Sequence, residues 1–443
     1  MTATAPLTRR AIFAQSWPII LGQASIPVVG IVDTAVIGRT GDAAALGGVA
    51  LGATLIGLVF WSFGFLRMGM TGLASQAQGA GQRSEVEALL LRGLAIGFAL
   101  GLAIVVLQVP LGKGALALMA GGEQVSAEAQ SYMQGRFMGA PAALAVYALT
   151  GWLFGLGRTR DALALQLVMN LANVGFDLWF VLGMDWGAFG VGAGTALAEL
   201  FALVTGLALV GRDGAGSVIG FVRRASRVQV LDPERLRALF AVNRDIMIRT
   251  VSLLLLFVWF ANAGARLGAV ALAANHVLLQ FVNVAAFVLD AFAFTAEARV
   301  GNAVGARSKA DFTRAIRLTG EFSLISALAL SALFLFAGGP VIDWLTTDAE
   351  VREVARRFLP FAAIIPLIGM PSWMLDGVFV GATQGRALRN AAVIATIAYV
   401  ALDLGLRPYG HTGLWLAFCA SYPLRAAALA WHLPRLTRSI TQA

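Results

Sequence analysis

The sequence predicts an all-α integral membrane protein, and its composition and hydrophobic patterning carry the prediction. Of 443 residues, 58% are hydrophobic and only 13% are charged, whereas soluble domains carry about 25% charged residues. Mean hydropathy is +0.78. The single cysteine, Cys419, excludes an internal disulfide framework. The first apolar run is too long for a cleaved signal peptide, so we expect it to be a membrane span.

Windows of about 20 apolar residues, the length that crosses a bilayer core, predict about twelve transmembrane helices. Their approximate bounds are 11–38, 46–75, 89–110, 136–156, 162–183, 188–210, 243–265, 269–297, 317–338, 358–382, 388–406 and 412–432.

The basic residues fall mostly on one side of the predicted membrane. That side collects, among others, Arg9, Arg10, Arg83, Arg158, Arg160, Arg223, Arg224, Arg307, Lys309, Arg386 and Arg435. The positive-inside rule therefore predicts that both termini are cytoplasmic. Because this distribution accounts for the net charge of +9, we expect no nucleic-acid partner.

The two halves of the sequence resemble each other at an offset of about 226 residues. The stretch "TGLASQAQGAGQRS" (71–84) parallels "TAEARVGNAVGARS" (295–308), and "LFGLGRTR" (153–160) parallels "FVGATQGR" (379–386). An offset of six spans predicts two six-helix pseudo-symmetric lobes in the same orientation, an architecture found in transporters. The predicted bounds are 1–211 for the N-terminal lobe, 212–242 for a cytoplasmic linker and 243–443 for the C-terminal lobe.

Asp33 interrupts the otherwise apolar first span. An ionised carboxylate at the centre of a span costs about 2.5–3.5 kcal/mol on insertion scales, which makes such a residue a functional candidate. The fifth span adds a polar stripe at helical spacing, formed by Gln166, Asn170, Asn173 and Asp177. The sixth span contributes Thr195 and, one turn deeper, Glu199. A rise of about 1.5 Å per residue puts Asp33, Asn173, Asp177 and Thr195 at one level in the outer half of the membrane.

Two carboxylates that share a low-dielectric site do not both ionise easily, so the pair is a candidate proton site. The same oxygens, with an amide and a hydroxyl, could instead hold sodium. We assign ion coupling to Asp33, Asp177, Asn173 and Thr195, although amides and hydroxyls also join membrane helices. Gln166, Asn170 and Glu199 are candidates for a substrate cavity, as is Asp376 in the C-terminal half.

A second group of intramembrane charges is mixed in sign: Arg67, Arg249, Asp290, Glu297 and Asp376. Structural ion pairs are the preferred interpretation. His276 could titrate, but we expect a hydrogen-bonded core histidine. Asp403 falls near the repeat equivalent of Asp177.

Pro18 and Pro27 lie in the first span. Each removes a backbone hydrogen bond, which creates either a hinge or a static kink. A hinge in the helix that carries Asp33 would couple protonation to a change of shape.

Five ordered stretches carry a family resemblance: "VDTAVIG" (32–38), "LGGVALGAT" (46–54), "FLRMGMTGL" (65–73), "NRDIMIRT" (243–250) and "LDGVFVGAT" (375–383). The chain resembles the multidrug and toxic compound extrusion (MATE) transporters, in particular their DinF-like branch. The resemblance implies the MATE fold and an antiporter of the bacterial inner membrane that exports organic compounds. It maps the coupling residues onto Asp33, Asn173, Asp177 and Thr195, and a bending proline onto Pro18.

One departure bears on the coupling ion. NorM-like sodium-coupled members carry an acidic residue in the seventh span, which here reads "IMIRTVSLLLLFVWFANAGA" and contains Arg249 instead. This difference favours coupling in the N-terminal lobe, and protons over sodium. We therefore predict a proton-coupled exporter of organic, cationic or amphipathic compounds that works as a monomer among membrane lipids, with no cofactor and no metal.

The alternatives are a sodium-coupled exporter and a flippase for lipids or lipid-linked precursors. The acidic and amide-bearing N-terminal cluster disfavours the flippase, which would need arginines for phosphate groups. An enzyme is not expected, because the three histidines are scattered and no nucleophile or metal-ligand motif occurs.

Overall fold

The computed structural model of the chain describes residues 7–117, 122–211, 218–224 and 230–442, and the regular structure in these residues is entirely helical. The α-helices are α1 Arg9–Gly38, α2 Ala43–Ser62, α3 Phe65–Gly79, α4 Arg83–Ala117, α5 Glu123–Met138, α6 Ala140–Gly155, α7 Thr159–Asp177, α8 Gly187–Val210, α9 Val218–Arg224, α10 Pro233–Ala265, α11 Ala269–Gly305, α12 Lys309–Leu345, α13 Ala349–Gly381, α14 Gly385–Leu406, α15 Gly410–Ala430 and α16 Leu433–Gln442. A π-helical segment, Leu178–Gly183, follows α7, and a 3₁₀ turn, Arg407–Tyr409, joins α14 to α15.

Ten helical segments in the described residues are long and apolar enough to cross a membrane, or eleven if α5 and α6 form one bent span. The last segment, Gly385–Ile440, is 56 residues long and contains both α14 and α15. A helix of about 20 residues already crosses a bilayer core. Two crossings in this segment would bring the number to twelve, which stays a prediction.

The bend between α5 and α6 differs from the expected single span 136–156. The two helices meet at Gly139 with an angle of 54°. Pro141 lies in the first turn of α6, where its missing N–H leaves no intrahelical bond unmade. Because α5 is polar in sequence, hydropathy alone placed the start of the span near the C-terminal end of α5. Most of α5 was therefore not predicted as part of a membrane segment.

The chain divides into two compact units. The N-terminal unit is Leu21–Ala238, and the C-terminal unit is Met1–Ile20 together with Leu239–Ala443. The start of α1 is tied to the C-terminal unit: Ser16 Oγ lies 2.8 Å from Thr295 Oγ1, and the Phe13 and Phe322 ring centroids are 6.3 Å apart. The predicted lobes placed this start in the N-terminal lobe. Of the predicted linker, residues 212–217 and 225–229 lie outside the described part of the chain.

In the N-terminal unit, α6 packs closely on α3 through two glycines one turn apart. A Cβ on Gly151 would overlap the backbone carbonyl of Arg67, and a Cβ on Gly155 would lie 2.7 Å from the carbonyl oxygen of Thr71. Small residues at this spacing let membrane helices approach closely.

The C-terminal unit repeats this contact 226 positions later. On α13, a Cβ on Gly377 would overlap the carbonyl of Ala293, and one on Gly381 would overlap the carbonyl of Glu297, both on α11. The internal repeat inferred from weak sequence matches is thus present as the same helix contact in each unit.

Helix ends repeat with the same offset. Gly81 and Arg307 both have positive φ, as do Gly157 and Thr383. At the first pair of ends, Gln82 N donates to Ala77 O at 2.9 Å and Ser308 N donates to Ala303 O at 2.9 Å. These are Schellman-type ends, which place the residue after the helix in the left-handed region.

The core of the C-terminal unit is aromatic where α10 meets α15. The Phe260 ring lies 4.5 Å from Phe418 and 5.3 Å from Trp415, measured between centroids. All three side chains are fully buried. Offset and edge-to-face aromatic pairs of this kind stabilise a core beyond their buried area.

The left-handed helix ends give a test of the shared architecture. Gly81 has a φ of 70° and open space around the position of a Cβ, so Gly81→Ala should destabilise through backbone strain alone, by about 1–2 kcal/mol. The matched control is Gly57→Ala within α2, which also has open space and should be neutral or stabilising. Thermal unfolding of the purified variants measures both effects. Equal stabilities for the two variants would contradict the assignment.

Candidate functional site

A polar contact joins α7 to α8 inside the N-terminal unit. Asn173 is buried and donates a hydrogen bond from Nδ2 to Thr195 Oγ1 at 3.0 Å. The Thr195 hydroxyl in turn donates to the Val191 carbonyl at 3.0 Å, so its oxygen is left as an acceptor for the amide. The helical spacing that predicted a shared polar level for these side chains therefore brings them into direct contact.

The first helix adds a carboxyl group to this contact. The side chains of Asp33 and Asp177 lie within hydrogen-bonding range of each other, and Asn173 lies close to both. Asp177 has no exposed surface, and neither of its carboxyl oxygens accepts a hydrogen bond from the described residues. Asp33 is half-buried, and its Oδ1 likewise has no such partner. The two acids thus lie side by side, and three of their four carboxyl oxygens accept no hydrogen bond from the described residues.

The backbone around Asp177 is shaped for this side chain. Its α-helix ends at Asp177 itself and continues as the π-helical segment, a wider turn that is frequent at functional sites. Gly194 on α8 lies against the carboxyl group, because a Cβ there would overlap Asp177 Oδ1. Glycine at this position leaves room for the acid between the two helices.

The remaining stripe residues connect α7 to α1. Gln166 donates from Nε2 to Asn170 Oδ1 at 2.9 Å, and Asn170 donates from Nδ2 to the Ser25 carbonyl at 3.3 Å. This carbonyl lies two residues before Pro27. The stripe therefore anchors the helix of Asp33 to the helix of Asp177; whether it also lines a substrate cavity stays a prediction.

Glu199 forms an ion pair that the sequence analysis missed. Arg136 on α5 donates from Nη1 to Glu199 Oε2 at 2.7 Å and from Nη2 to Oε1 at 2.5 Å. Both side chains are buried. The signal was present in "QGRFM" (134–138), but the expected span began at residue 136, which put the arginine at a membrane surface instead of inside the protein.

In the C-terminal unit two buried acids, Asp376 and Asp403, have cationic or donor partners. Asp376 pairs with Arg249, as the mixed charges of this group predicted, and Arg425 lies 3.6 Å from the same carboxyl oxygen. Asp403 accepts a hydrogen bond from Trp259 Nε1 at 2.9 Å and lies 3.6 Å from Arg266. These contacts differ in kind from the facing acids of the N-terminal unit.

Three other predicted intramembrane charges lie on α3 and α11. Glu297 is fully buried on α11, Asp290 is half-buried on the same helix, and Arg67 lies 5.9 Å from the Phe154 ring centroid on α6. Structural ion pairing of these three residues stays a prediction.

The core environment expected for His276 is wrong, because its side chain is exposed. The preceding residue, Asn275, lies on the inward face of the helix and is buried. Its Oδ1 lies 2.7 Å from His411 Nε2 and accepts a hydrogen bond from Trp415 Nε1 at 2.9 Å.

Comparisons with known proteins agree with this architecture. The family model described as MatE matches residues 18–179 and 246–406, one stretch in each half. The DNA damage-inducible protein F of Escherichia coli strain K12 is 34% identical over 429 residues, covering 95% of this chain and 91% of that protein. The probable multidrug resistance protein NorM of Halalkalibacterium halodurans is 23% identical over 96% of this chain and 94% of that protein. The solved structure of a MOP superfamily transporter from Pyrococcus furiosus has the same fold, with a TM-score of 0.88 at 16% identity. The match covers 98% of this chain and 97% of that one.

The close contact at Gly194 predicts a specific coupling between two positions. Gly194→Ala should destabilise the protein by about 1–3 kcal/mol, since the added methyl group displaces the Asp177 carboxyl from a packed site. The same substitution in an Asp177→Ala background should cost much less, because the overlapping oxygen is gone. Thermal unfolding of the four proteins gives the interaction energy. Equal costs in the two backgrounds would show that the contact is absent.

Proposed function

Because the chain belongs to the MatE family of multidrug efflux transporters, we propose that it is a proton-coupled antiporter that exports organic compounds by alternating access. Members of this family are transporters, not enzymes. The ten or eleven apolar helices found in the described residues make the chain a multi-pass membrane protein. The coupling ion, the substrates and the orientation are parts of the proposal.

The observation that carries the proposal is the facing pair of Asp33 and Asp177. Asp33 Oδ1 and both carboxyl oxygens of Asp177 are buried and accept no hydrogen bond from the described residues. A single bound proton supplies one, because a protonated carboxyl group donates to the neighbouring carboxylate. Proton binding thus relieves the repulsion between the two acids and satisfies a buried acceptor at the same time.

Antiport follows if substrate and proton exclude each other at this pair. An organic cation is attracted by the ionised acids, and each proton that binds removes one negative charge. Protonation from the outside therefore weakens cation binding and favours release, and loss of the proton to the cytoplasm restores the charge. Asn173 and Thr195 hold the fifth and sixth predicted spans together around the site.

Sodium is the second candidate ion, and a specific observation favours it. Four buried oxygen atoms of this cluster accept no hydrogen bond from the described residues: Asp33 Oδ1, Asn173 Oδ1, Asp177 Oδ1 and Asp177 Oδ2. Carboxylate and amide oxygens are suited to hard cations. We keep the proton as the leading proposal because one proton shared between the two carboxyl groups already removes their mutual repulsion.

The proposed substrates are cationic or amphipathic organic compounds. The acids of the N-terminal unit supply the negative charge, and the relative from Halalkalibacterium halodurans is named as a probable multidrug resistance protein. We place the protein in the bacterial inner membrane with both termini cytoplasmic. Each chain has its own acid pair, so a monomer suffices.

We also propose that α1 is the moving element. Leu21, Ile26, Val28 and Ile31 are all 42–66% exposed, so little packing holds this part of the helix. Segments with few buried contacts are the ones that rearrange at low cost. Pro18 and Pro27 interrupt its backbone hydrogen bonds and provide hinges, and protonation at Asp33 would shift the balance between bent and straight forms.

The coupling proposal is tested by Asp177→Asn in proteoliposomes loaded with a fluorescent organic cation such as ethidium. An imposed pH gradient should drive efflux by the parent protein. The efflux rate of the variant should be at least tenfold lower, because the amide cannot exchange a proton. A sodium gradient at equal pH on both sides is the parallel arm. Efflux driven by sodium alone would overturn proton coupling in favour of the second candidate.

The chain offers a matched control in Asp403→Asn, at the position 226 residues later. Asp403 is also buried, but it has a donor in Trp259. This variant should retain pH-driven efflux. If both variants lose it equally, the effect reflects damage to the fold instead of the acid pair.

The hinge is tested by Pro27→Ala. Alanine restores a backbone donor within α1, so the helix should stiffen and transport should slow several-fold while substrate still binds. Pro110→Ala in α4 is the control, since Pro110 also lies inside a helix and is exposed. Rates that fall equally in both variants would argue against a hinge at Pro27.

A further inference from the structure

The buried pair Arg136–Glu199 has no role in the function proposed so far. Its two parallel hydrogen bonds, at 2.7 and 2.5 Å, form the bidentate geometry that fixes a guanidinium in place. The guanidinium carbon also lies 4.5 Å from the centroid of the Phe60 ring on α2. Three helices, α2, α5 and α8, thus hold this one cation.

Glu199 of this ion pair lies on the same helix as the glycine that contacts Asp177. Gly194, against which the Asp177 carboxyl lies, is five residues before Glu199 on α8, a rise of about 7.5 Å. Helices α5 and α8 are in close contact at this level, because a Cβ on Gly192 would overlap the Tyr132 carbonyl and one on Gly139 would lie 2.9 Å from Glu199 Oε2. Arg136 is close enough to interact electrostatically with Asp33.

Stability alone does not account for this ion pair. Replacing a buried ion pair by apolar residues of similar size is often neutral or stabilising. Removing one partner is different, because it leaves an unpaired charge in a low-dielectric site. Without Glu199, the Arg136 charge would act on Asp33 with no neutralising partner, and Asp33 is one of the carboxyl groups that the proposed mechanism needs to protonate and deprotonate.

We propose that Glu199 and Arg136 are positioning residues that keep the guanidinium away from the Asp33–Asp177 pair and thereby set the pH range in which this pair exchanges protons. The inference rests on the proposed function, since it concerns the same acids. Glu199 occupies both terminal nitrogens of Arg136, so that the acids have each other and Asn173 as near neighbours instead of a cation.

The titratable and charged groups around Asp33 come from four helices. They are Asp177 from α7, Tyr132 and Arg136 from α5, Glu199 from α8, and Tyr147 from α6, next to the ion pair. Both tyrosines are neutral in the range where carboxyl groups titrate. The charges that act on Asp33 and on Tyr132 are thus three acids and one arginine, whereas Arg67 acts on Tyr147.

The test is a pH titration by infrared spectroscopy of the carbonyl band of the protonated carboxyl pair. The band is identified by its loss in an Asp33→Asn/Asp177→Asn double variant. In Glu199→Gln the guanidinium charge is no longer neutralised and favours ionised acids, so the midpoint should move about one pH unit to more acidic values. In Arg136→Gln/Glu199→Gln the site loses both charges, and the midpoint should return close to that of the parent protein.

The double variant separates an electrostatic from a structural role, because a purely structural pair would give equal or larger effects when both partners are removed. No shift in Glu199→Gln, or the same shift in the double variant, would overturn the proposal. If Glu199→Gln does not fold, Arg136→Gln gives the reciprocal test, with a shift to higher pH expected. A parent protein with no titrating band would overturn it as well.

The measurement needs no substrate and no gradient, so it is independent of the transport assay. A protein that shows the shift and its reversal but no proton-driven efflux would disprove the proposed function and leave the positioning role intact. A protein with proton-driven efflux and no shift would do the reverse.

Discussion

The carboxyl groups of Asp33 and Asp177 lie side by side, and neither forms an ion pair with a basic side chain of the described residues. Asp177 is fully buried and comes from a helix that changes to a π-helix directly after it. Asp33 comes from a helix whose neighbouring turns are largely exposed. A change in the protonation of this pair therefore acts between a more buried helix and a less buried one. Proton-coupled motion of α1, as proposed, depends on that difference.

The two halves share a backbone scaffold, but the buried acids at corresponding positions, Asp177 and Asp403, have different partners. Glycines at 151 and 155 make the same helix contacts as those at 377 and 381, so backbone packing follows the repeat closely. Charge does not follow it. The position of Asp177 corresponds to that of Asp403, which has an indole donor and a nearby arginine. A repeat that duplicates only backbone contacts leaves each half free to carry different chemistry, which allows one half to hold the ion site.

Sequence reasoning found most of the candidate site because its residues lie on long helices with regular spacing. Asn173 and Asp177 are one turn apart, and a depth estimate at a fixed rise per residue sufficed to match them with Thr195. It failed where the helix was polar or interrupted: Arg136 lies in α5, which hydropathy did not recognise as part of a membrane segment. His276 was misjudged for a related reason, since neighbouring positions of a helix that is apolar nearly all round do not show which face is inward. Contacts such as that of Gly194 with Asp177 depend on the approach of two helices, which no single-helix pattern contains.

Charge counting shows why the arginine matters to the proposed exchange. With Asp33, Asp177 and Glu199 ionised and Arg136 charged, the cluster carries a net charge of −2. One proton reduces it to −1 and a second to zero. If Arg136 paired with one aspartate directly, the guanidinium would hold that aspartate in its ionised form, and only the other aspartate would be left to bind a proton. By binding the arginine, Glu199 leaves both aspartates available for proton exchange. Each proton that binds to the pair then removes one negative charge close to a bound cation, and the interaction energy in a low-dielectric site scales with that charge.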